Sequence, residues 1–482
     1  MKLEVIGEKL ETKKDVNSKY AYGNLFPAQK QIVDTILRTT GNSKARLFFI
    51  HGGCCSGKTH LLISLYYAFQ SRGYQVINTS FCTATAAELP NGKTFHQTFG
   101  ISINNQERPQ FLGSTDEFSL VTADVLLLDH VENIHHSTLE LADLRMRRLT
   151  GDFNRPFGGH LIVVFTADFA SLGPISSDRQ MATNILSARF THDESPLLSH
   201  FHTFCLNNNP QLMNSRFYYV LHSLGYGRLR EFVIPQNLIV KSRFLAHAVF
   251  NDAIKRSDFD ALSRRVILCA FNRQLRYWND RAMHLLPLVA VFENRAVDTL
   301  SAIRLDIFEY EYSRFPPKVL RLRQHALLQL LYDSAGLSRG TILRYIGVEH
   351  SDDDREGPQL KCIVSSGVRC GDHVQIARSS NFNRQDHFWR LQFPVVLAFA
   401  QTVNKAGQRR FERIGIDVSR WFHEHGKSYA ALSRVSTLTG IRVANGNAWN
   451  ARLKNFVAHS LIYPINSNRV VPSTSYLPAL SL

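Results

Sequence analysis

The stretch "FFIHGGCCSGKTHLL" (48–62) places Gly52, Gly57, Lys58 and Thr59 in the spacing GxxxxGKT. An apolar run, "RLFFIHG" (46–52), leads into it, and a helical pattern, "KTHLLISLYYAFQSRG" (58–73), leaves it and closes at Gly73. A loop of this composition between a buried strand and a helix wraps a phosphate chain. The glycines let the backbone approach, amide N–H groups and the helix N-terminus face the oxygens, the lysine reaches the outer phosphates and the hydroxyl joins magnesium. The spacing therefore assigns Gly52, Gly53, Cys54, Cys55, Ser56, Gly57, Lys58 and Thr59 to a nucleotide site, and it commits this part of the chain to an α/β layer structure. Cys54 and Cys55 fill free positions of the loop, either as tolerated fillers or as thiols sensitised by the helix N-terminus.

The runs "YQVINTSF" (74–81), "ADVLLLD" (123–129) and "HLIVVFTAD" (160–168) are continuous apolar segments separated by helical ones, which predicts a parallel sheet covered on both faces. An amphipathic helix after Pro27 is expected in "NLFPAQKQIVDTILRTT" (24–40). The pattern returns in "RRVILCAFN" (264–272) with the helix "RQLRYWNDRAMHLL" (273–286), and "FPVVLAFAQTVNKA" (393–406) and "GKSYAALSRV" (426–435) read as strand-to-helix units of a second sheet. Short β-like runs and turn glycines around 318–388, with the acidic loop "SDDDREG" (351–357), predict a β-rich insertion. The expected organisation is a flexible segment over 1–20, a first domain over 21–210 with a small insertion, a second over 211–464, and an irregular tail over 465–482.

A chain of 482 residues is too long for one core, and 44% hydrophobic with 20% charged residues describes an ordinary globular protein. Its formal net charge of +16 suits a polyanionic partner, nucleic acid first, with a merely basic soluble protein as the alternative. The seven cysteines include no CxxC, which favours reduced thiols over disulfides or a zinc site. No apolar run reaches the ~18 residues of a membrane span, and the charged N-terminus has no signal-peptide core. The expectation is an intracellular, monomeric protein, nuclear or mitochondrial, without a membrane segment.

About seventy residues after the phosphate loop, Asp129 ends its apolar run, where a carboxylate supports a magnesium shell or, alternatively, caps a helix. Several other segments fall in one order. "LFPAQKQIVD" (25–34) resembles a glutamine motif that reads adenine, with Gln29 in the reading position; "TATAAELPNGKTFHQTFGI" (83–101) resembles a loop that touches single-stranded DNA; "FGGHLIVVFTADF" (157–169) resembles a third motif. "FPVVLAFAQTVNKAGQ" (393–408) and "HGKSYAALSRV" (425–435) resemble a fifth and a sixth. Over residues 20–445 the chain resembles the Pif-type DNA helicases of superfamily one, including the helicase part of Helitron transposons. The resemblance implies two RecA-like parallel-sheet domains of the P-loop NTPase fold with small insertions, ATP and Mg2+ as cofactors, single-stranded DNA and DNA junctions as partners, and 5′-to-3′ unwinding in repair, recombination, telomere maintenance or transposition. By the same resemblance Lys58, Asp129 and Arg434 carry catalysis, Arg434 reaching across the cleft to the γ-phosphate, unless it is a surface arginine capping a helix. Thr59 and Asp129 hold the metal, and Thr83, His96, Lys405, Arg409 and Arg410 lie on the DNA track, with Arg413 near it. His96 beside Phe95 and Phe99 also reads as a partly buried neighbour of core aromatics. Residues 401–460 carry ten Lys/Arg against three Asp/Glu, a basic patch whether or not the family match holds.

The chain departs from the family at four functional places. His130 follows Asp129 where the family has the glutamate that polarises the attacking water. Ala170-Ser171 stands where a coupling glutamine follows the third motif, Asn209-Pro210-Gln211 replaces an Asn-Met-Arg triplet, and "KAGQRR" (405–410) scrambles the fifth motif. Losing a general base costs about 10²–10⁴-fold in rate. A neutral His130 is one substitute, favoured by a nearby metal; Glu132 swinging in is another, against its reading as a solvated loop carboxylate. The binding half of the site is retained and the chemical half eroded, so the expectation is a helicase with impaired hydrolysis or, alternatively, a nucleotide-responsive DNA-binding relic.

Overall fold

The computed structural model describes residues 20–39, 46–101, 117–174, 196–206, 215–299, 315–349, 357–367, 369–383, 388–407, 409–419, 425–444 and 452–457. The triplet Asn209-Pro210-Gln211, most of the acidic loop, and the segments 1–19 and 458–482 lie outside them.

The first sheet has six strands: β1 (Leu47–His51), β2 (Val76–Ser80), β3 (Lys93–Thr94), β4 (Val125–Asp129), β5 (Ile162–Ala167) and β6 (His202–Cys205), in the order β3-β2-β4-β5-β1-β6. Every pairing in it is parallel. All residues of β1, β4 and β5 are buried, as strands covered on both faces must be. Alternate residues face opposite sides. Phe48 and Ile50 join Val125 and Leu127 under the helices Pro27–Thr39 and Lys58–Gln70, while Phe49, Leu126, Leu128 and Phe165 face the helix His136–Thr150.

A second parallel sheet runs in the order Ala400–Thr402, Arg265–Cys269, Arg413–Asp417, Ile441–Ala444, Ile239–Val240. The segment 393–406 differs from the single strand-to-helix unit expected. Val395–Leu397 pairs antiparallel with Leu327–Leu330 in the insertion, and then Ala400–Thr402 pairs parallel with Arg265–Cys269 and leads into the short helix Val403–Ala406. One apolar run thus serves two sheets. The segment 426–435 holds a helix, Lys427–Leu432, and no strand; the strand before it is Arg413–Asp417. The insertion is an antiparallel β unit whose five-stranded sheet is formed by His373–Ile376, Gln359–Val364, Ile342–Glu349, Leu327–Leu330 and Val395–Leu397, accompanied by two small sheets that begin at Val291. Among the described residues no helix is long and apolar enough to cross a membrane.

The two parallel sheets meet across a cleft that is itself packed. Cys54 and Ala170 from the first domain share one apolar cluster with Leu221, Leu224, Tyr429 and Leu432. Ligands of parallel α/β sheets bind beyond the C-terminal strand ends, which is where β1, β4 and β5 deliver the residues described next.

Candidate functional site

Gly52 and Gly57 hold the loop after β1 in a shape other residues would disturb. A Cβ on Gly52 would lie 2.2 Å from the Leu206 carbonyl oxygen; one on Gly57, whose φ is +87°, would lie 2.4 Å from Gln29 Nε2. Gln29 is buried against this loop. Its Oε1 accepts from the Phe26 amide at 2.9 Å and its Nε2 donates to the Gly57 carbonyl at 3.3 Å, so the residue expected to read adenine also braces the phosphate loop.

Lys58 Nζ points into the loop and donates to Gly52 O (2.9 Å), Gly53 O (2.8 Å) and Ser56 Oγ (3.3 Å). Thr59 donates to Asp129 Oδ2 at 2.8 Å, and Thr166 at the end of β5 bonds the other carboxylate oxygen. A hydroxyl and a carboxylate held together, oxygen donors only, fit a hard divalent cation such as Mg2+. Among the described residues no group of three His, Cys, Asp or Glu side chains could cage a metal, so phosphate oxygens and water would complete its shell.

His130 sits in left-handed backbone (φ 64°, ψ 52°), an uncommon conformation for a residue with a side chain and one that collects at functional sites. Its Nε2 lies 3.4 Å from Asp129 Oδ2 and its Nδ1 is 3.0 Å from Glu132 Oε1. Glu132 is 1% exposed and Asp129 fully buried. The reading of Glu132 as a solvated loop carboxylate is therefore corrected: a turn of 3₁₀ helix over Val131–Asn133 folds it back under His130. Burial alone would lower the imidazole's pKa, but the carboxylates of Asp129 and Glu132 outweigh it and raise it. That is opposite to the neutral form a histidine base requires.

The second domain touches the phosphate loop at two successive residues. The Cys54 amide donates to Tyr429 Oη at 2.7 Å, and Tyr429 in turn donates to Asp168 Oδ2 at 2.9 Å. Beside it, Arg410 bonds Cys55 Sγ through Nη2 and Ser436 Oγ through Nη1, the latter at 3.2 Å. Ala170 and Ser171, standing where a glutamine was expected, are buried under this contact. A Cβ on Gly426 would meet both of their carbonyl oxygens at 2.5 Å, and His425 Nε2 lies 2.9 Å from Phe169 O. The small residues let the second domain approach the third motif closely.

A family model for PIF1-like helicases matches residues 24–230. The ATP-dependent DNA helicase Pif1 of Bdellovibrio bacteriovorus is 23% identical over 444 residues, covering 89% of this chain and 89% of that protein. By sequence and by fold the chain resembles the Pif1-like helicases. The ATP-dependent DNA helicase PIF1 of Danio rerio is 24% identical over 425 residues, which make up 82% of this chain but 58% of the fish protein. Pif1 helicase from Candida albicans has the same fold, with a TM-score of 0.64 at 20% identity over 88% of this chain and 94% of its own. Pif1 helicase from Bacteroides, solved with ADP-AlF3 and ssDNA, also reaches 0.64, at 18% identity over 89% and 95% of the two chains. Both parallel-sheet domains are thus RecA-like.

Within this Pif1-type frame the site residues divide. Gln29, the loop 52–59, Asp129 and the motif-three end of β5 converge on one site. Arg434 does not reach across the cleft, nor does it sit on the surface. It is 2% exposed, and its guanidinium donates to Ala430 O (2.6 Å), Gly407 O and Ser433 Oγ (2.8 Å), all in its own domain. Arg410, expected on the DNA track, faces the phosphate loop instead. Arg409 is buried over the Phe411 ring and pairs with Glu88 Oε1 at 3.2 Å, an ion pair between the two domains. His96 is buried with its ring edge-on to Phe81 and Phe95, and neither ring nitrogen has a partner, so it offers no face to a passing strand. Arg413 pairs with Asp252 at 2.8 Å, away from the cleft. Thr83 and Lys405 remain half-buried at the ends of short helices, with Gly340 of the insertion approaching Thr83. Sequence reasoning missed Tyr429, Asp168 and His425. All three lay inside motifs already quoted, but the pairing of Tyr429 with Asp168 across 261 positions leaves no local signal.

Proposed function

We propose that this chain is an ATP-dependent DNA helicase of the Pif1 type that couples ATP binding and hydrolysis to 5′-to-3′ movement on single-stranded DNA, with hydrolysis slowed at its chemical step. The observation that carries this reading is the Thr59–Asp129 pair set beside Lys58, followed directly by His130 in place of a glutamate. The names of the relatives supply the activity class, and the structures of Bacteroides Pif1 bound to ssDNA supply the partner class. A net charge of +16 accords with both and with a nuclear or mitochondrial setting.

In this reading Gln29 and the loop 52–59 hold the nucleotide, Lys58 leaves its loop carbonyls for phosphate oxygens, and Thr59 with Asp129 hold magnesium. The cation supplies charge neutralisation at the phosphates. Asp129 is kept in place by Thr59 and Thr166. His130 takes the position of the water-orienting residue, but its Nδ1 is engaged by Glu132, which turns the ring into a bridge between two carboxylates.

That same bridge favours a second reading, a nucleotide-responsive DNA clamp without steady turnover. The two separate on a duplex with a 5′ single-stranded tail. Strand separation that needs ATP and is lost in Lys58→Ala supports the helicase; DNA binding that responds to nucleotide without any strand separation supports the clamp. Separation from a 3′ tail alone would contradict the proposed polarity.

A further inference from the structure

The cleft leaves one arginine unexplained by its expected role. Arg410 lies in the scrambled fifth motif, on the second domain, and its guanidinium rests on Cys55 in the middle of the phosphate loop. Two features distinguish it from Arg434. Arg434 is buried and spends all three of its donor nitrogens on groups of its own domain. Arg410 is exposed, and within its own domain its bond to Ser436 Oγ leaves the other side of the fork to the loop.

The chemistry at Cys55 points the same way. The bond with Cys54 lowers the Cys55 thiol's pKa first, burial opposes it, and the positive charges of Arg410 and Lys58 add to the lowering, to about 6. The Cys55 sulfur lies where a cross-domain guanidinium and the loop lysine both act. The neighbouring bond from Cys54 N–H to Tyr429 fixes the second domain against the loop at the adjacent residue, which sets the base of Arg410 beside the phosphate cradle. Guanidinium is always charged and offers a planar fork of donors to phosphate oxygens.

We propose that Arg410 is the arginine this chain carries across the cleft to the outer phosphates of the bound nucleotide, the Cys55 sulfur holding its place until phosphate oxygens replace it. This rests on the nucleotide-binding part of the function proposed above. It assigns to the altered fifth motif a role on the nucleotide, and it offers a replacement for the arginine absent from Asn209-Pro210-Gln211. Arg434, behind it, ties the Gly407 turn to the helix Lys427–Leu432.

The test compares binding of ADP alone with ADP plus aluminium fluoride and Mg2+, by titration calorimetry, in wild type, Arg410→Ala and Arg410→Lys. The expected result is that wild type binds the fluoride complex more tightly than ADP. Arg410→Ala loses that increment, on the order of a hundredfold, while keeping its affinity for ADP. Arg410→Lys recovers little of it, because an ammonium lacks the fork. An unchanged increment in Arg410→Ala overturns the proposal. So does an equal loss of affinity for ADP and for the fluoride complex, which would make the Arg410–Cys55 contact a purely structural clamp. A wild type that binds ADP with no increment on adding fluoride also overturns it, whereas a wild type that binds no ADP overturns the nucleotide-site reading beneath it.

Discussion

Tyr429 of the second domain accepts a hydrogen bond from the amide of Cys54 at 2.7 Å, joining the sixth motif to the phosphate loop over 375 positions of chain. The same hydroxyl donates to Asp168, so one side chain reports on the phosphate loop and on the third motif together. The family's coupling glutamine is replaced by Ala170-Ser171, and this tyrosine joins the phosphate loop and the third motif through one hydroxyl.

Tyr429→Phe removes the hydroxyl and leaves the Cys54 amide and the Asp168 carboxyl buried without it, a loss of about 1–3 kcal/mol. The unfolding midpoint should fall, and a single-stranded oligonucleotide should alter ADP affinity less than in wild type. Calorimetric melting and ADP titrations with and without oligonucleotide check both. A variant equal to wild type in the two assays would refute the link.

Thr59→Val deletes an oxygen donor and the bond that orients Asp129. Affinity for Mg2+-ATP should drop roughly tenfold or more, while affinity for nucleotide in the presence of EDTA changes little. Titration of each form measures the difference, and an equal loss with and without metal would exclude the metal role.

Cys55 should alkylate with an unusual pH profile. The bond with Cys54 lowers its pKa first, burial opposes, and Arg410 and Lys58 add to the lowering, giving a value of about 6. The folded thiol thus lies below its ordinary value, the thiolate dominates above pH 6, and reactivity falls as pH drops through 6. Iodoacetamide rates resolved by peptide mass spectrometry should be half-maximal near that pH, and Arg410→Ala should move the midpoint upward. Buried Cys54, whose thiol is pushed up, should stay unmodified throughout. A Cys55 midpoint near the ordinary ~8.5 would contradict the account.

Acid should weaken the first domain. Burial brings His51 and His96 down to about 4 from 6.5. A depressed folded value means the neutral ring is favoured in the native state, so the associated stability is full above pH 6.5 and lost as pH falls toward 4 and through it. Each ring contributes up to about 3 kcal/mol of that dependence. His96→Phe, which keeps an aromatic against Phe81 and Phe95 without a proton to bind, should show a smaller drop in urea midpoint between pH 7 and pH 5 than wild type. The same drop in both would place the acid lability elsewhere.

The fold was legible where chemistry is local. β1, β4 and β5 announce themselves because a strand buried on both faces is an unbroken apolar run, and the phosphate loop because glycine and lysine spacing is set by the ligand. The apolar run 393–406 misled for the same reason. Nothing in it marks that Val395–Leu397 leaves for an antiparallel sheet before Ala400–Thr402 enters a parallel one. In the site, Thr59 and Asp129 could be paired from their motifs, but charges could not be placed. Arg409 and Arg410 are neighbours in a basic segment, yet one meets Glu88 and the other Cys55, partners 321 and 355 positions away. Glu132 looked solvated because a carboxylate two residues past a strand end usually is. Its burial depends on a backbone reversal at His130 that side-chain patterns do not encode.

On the function proposed above, this ATP site binds nucleotide well and turns it over slowly because His130 stands where a glutamate would polarise the attacking water. Steady-state ATP hydrolysis with saturating single-stranded DNA tests it most directly, in wild type, Lys58→Ala, His130→Glu and His130→Glu/Glu132→Gln, the last removing a like charge that would otherwise hinder a second carboxylate beside Asp129. The account predicts measurable ATP binding with slow hydrolysis in wild type, and a gain on the order of 10²-fold in the double variant. Wild-type turnover that Lys58→Ala abolishes and that neither position-130 variant improves would contradict it.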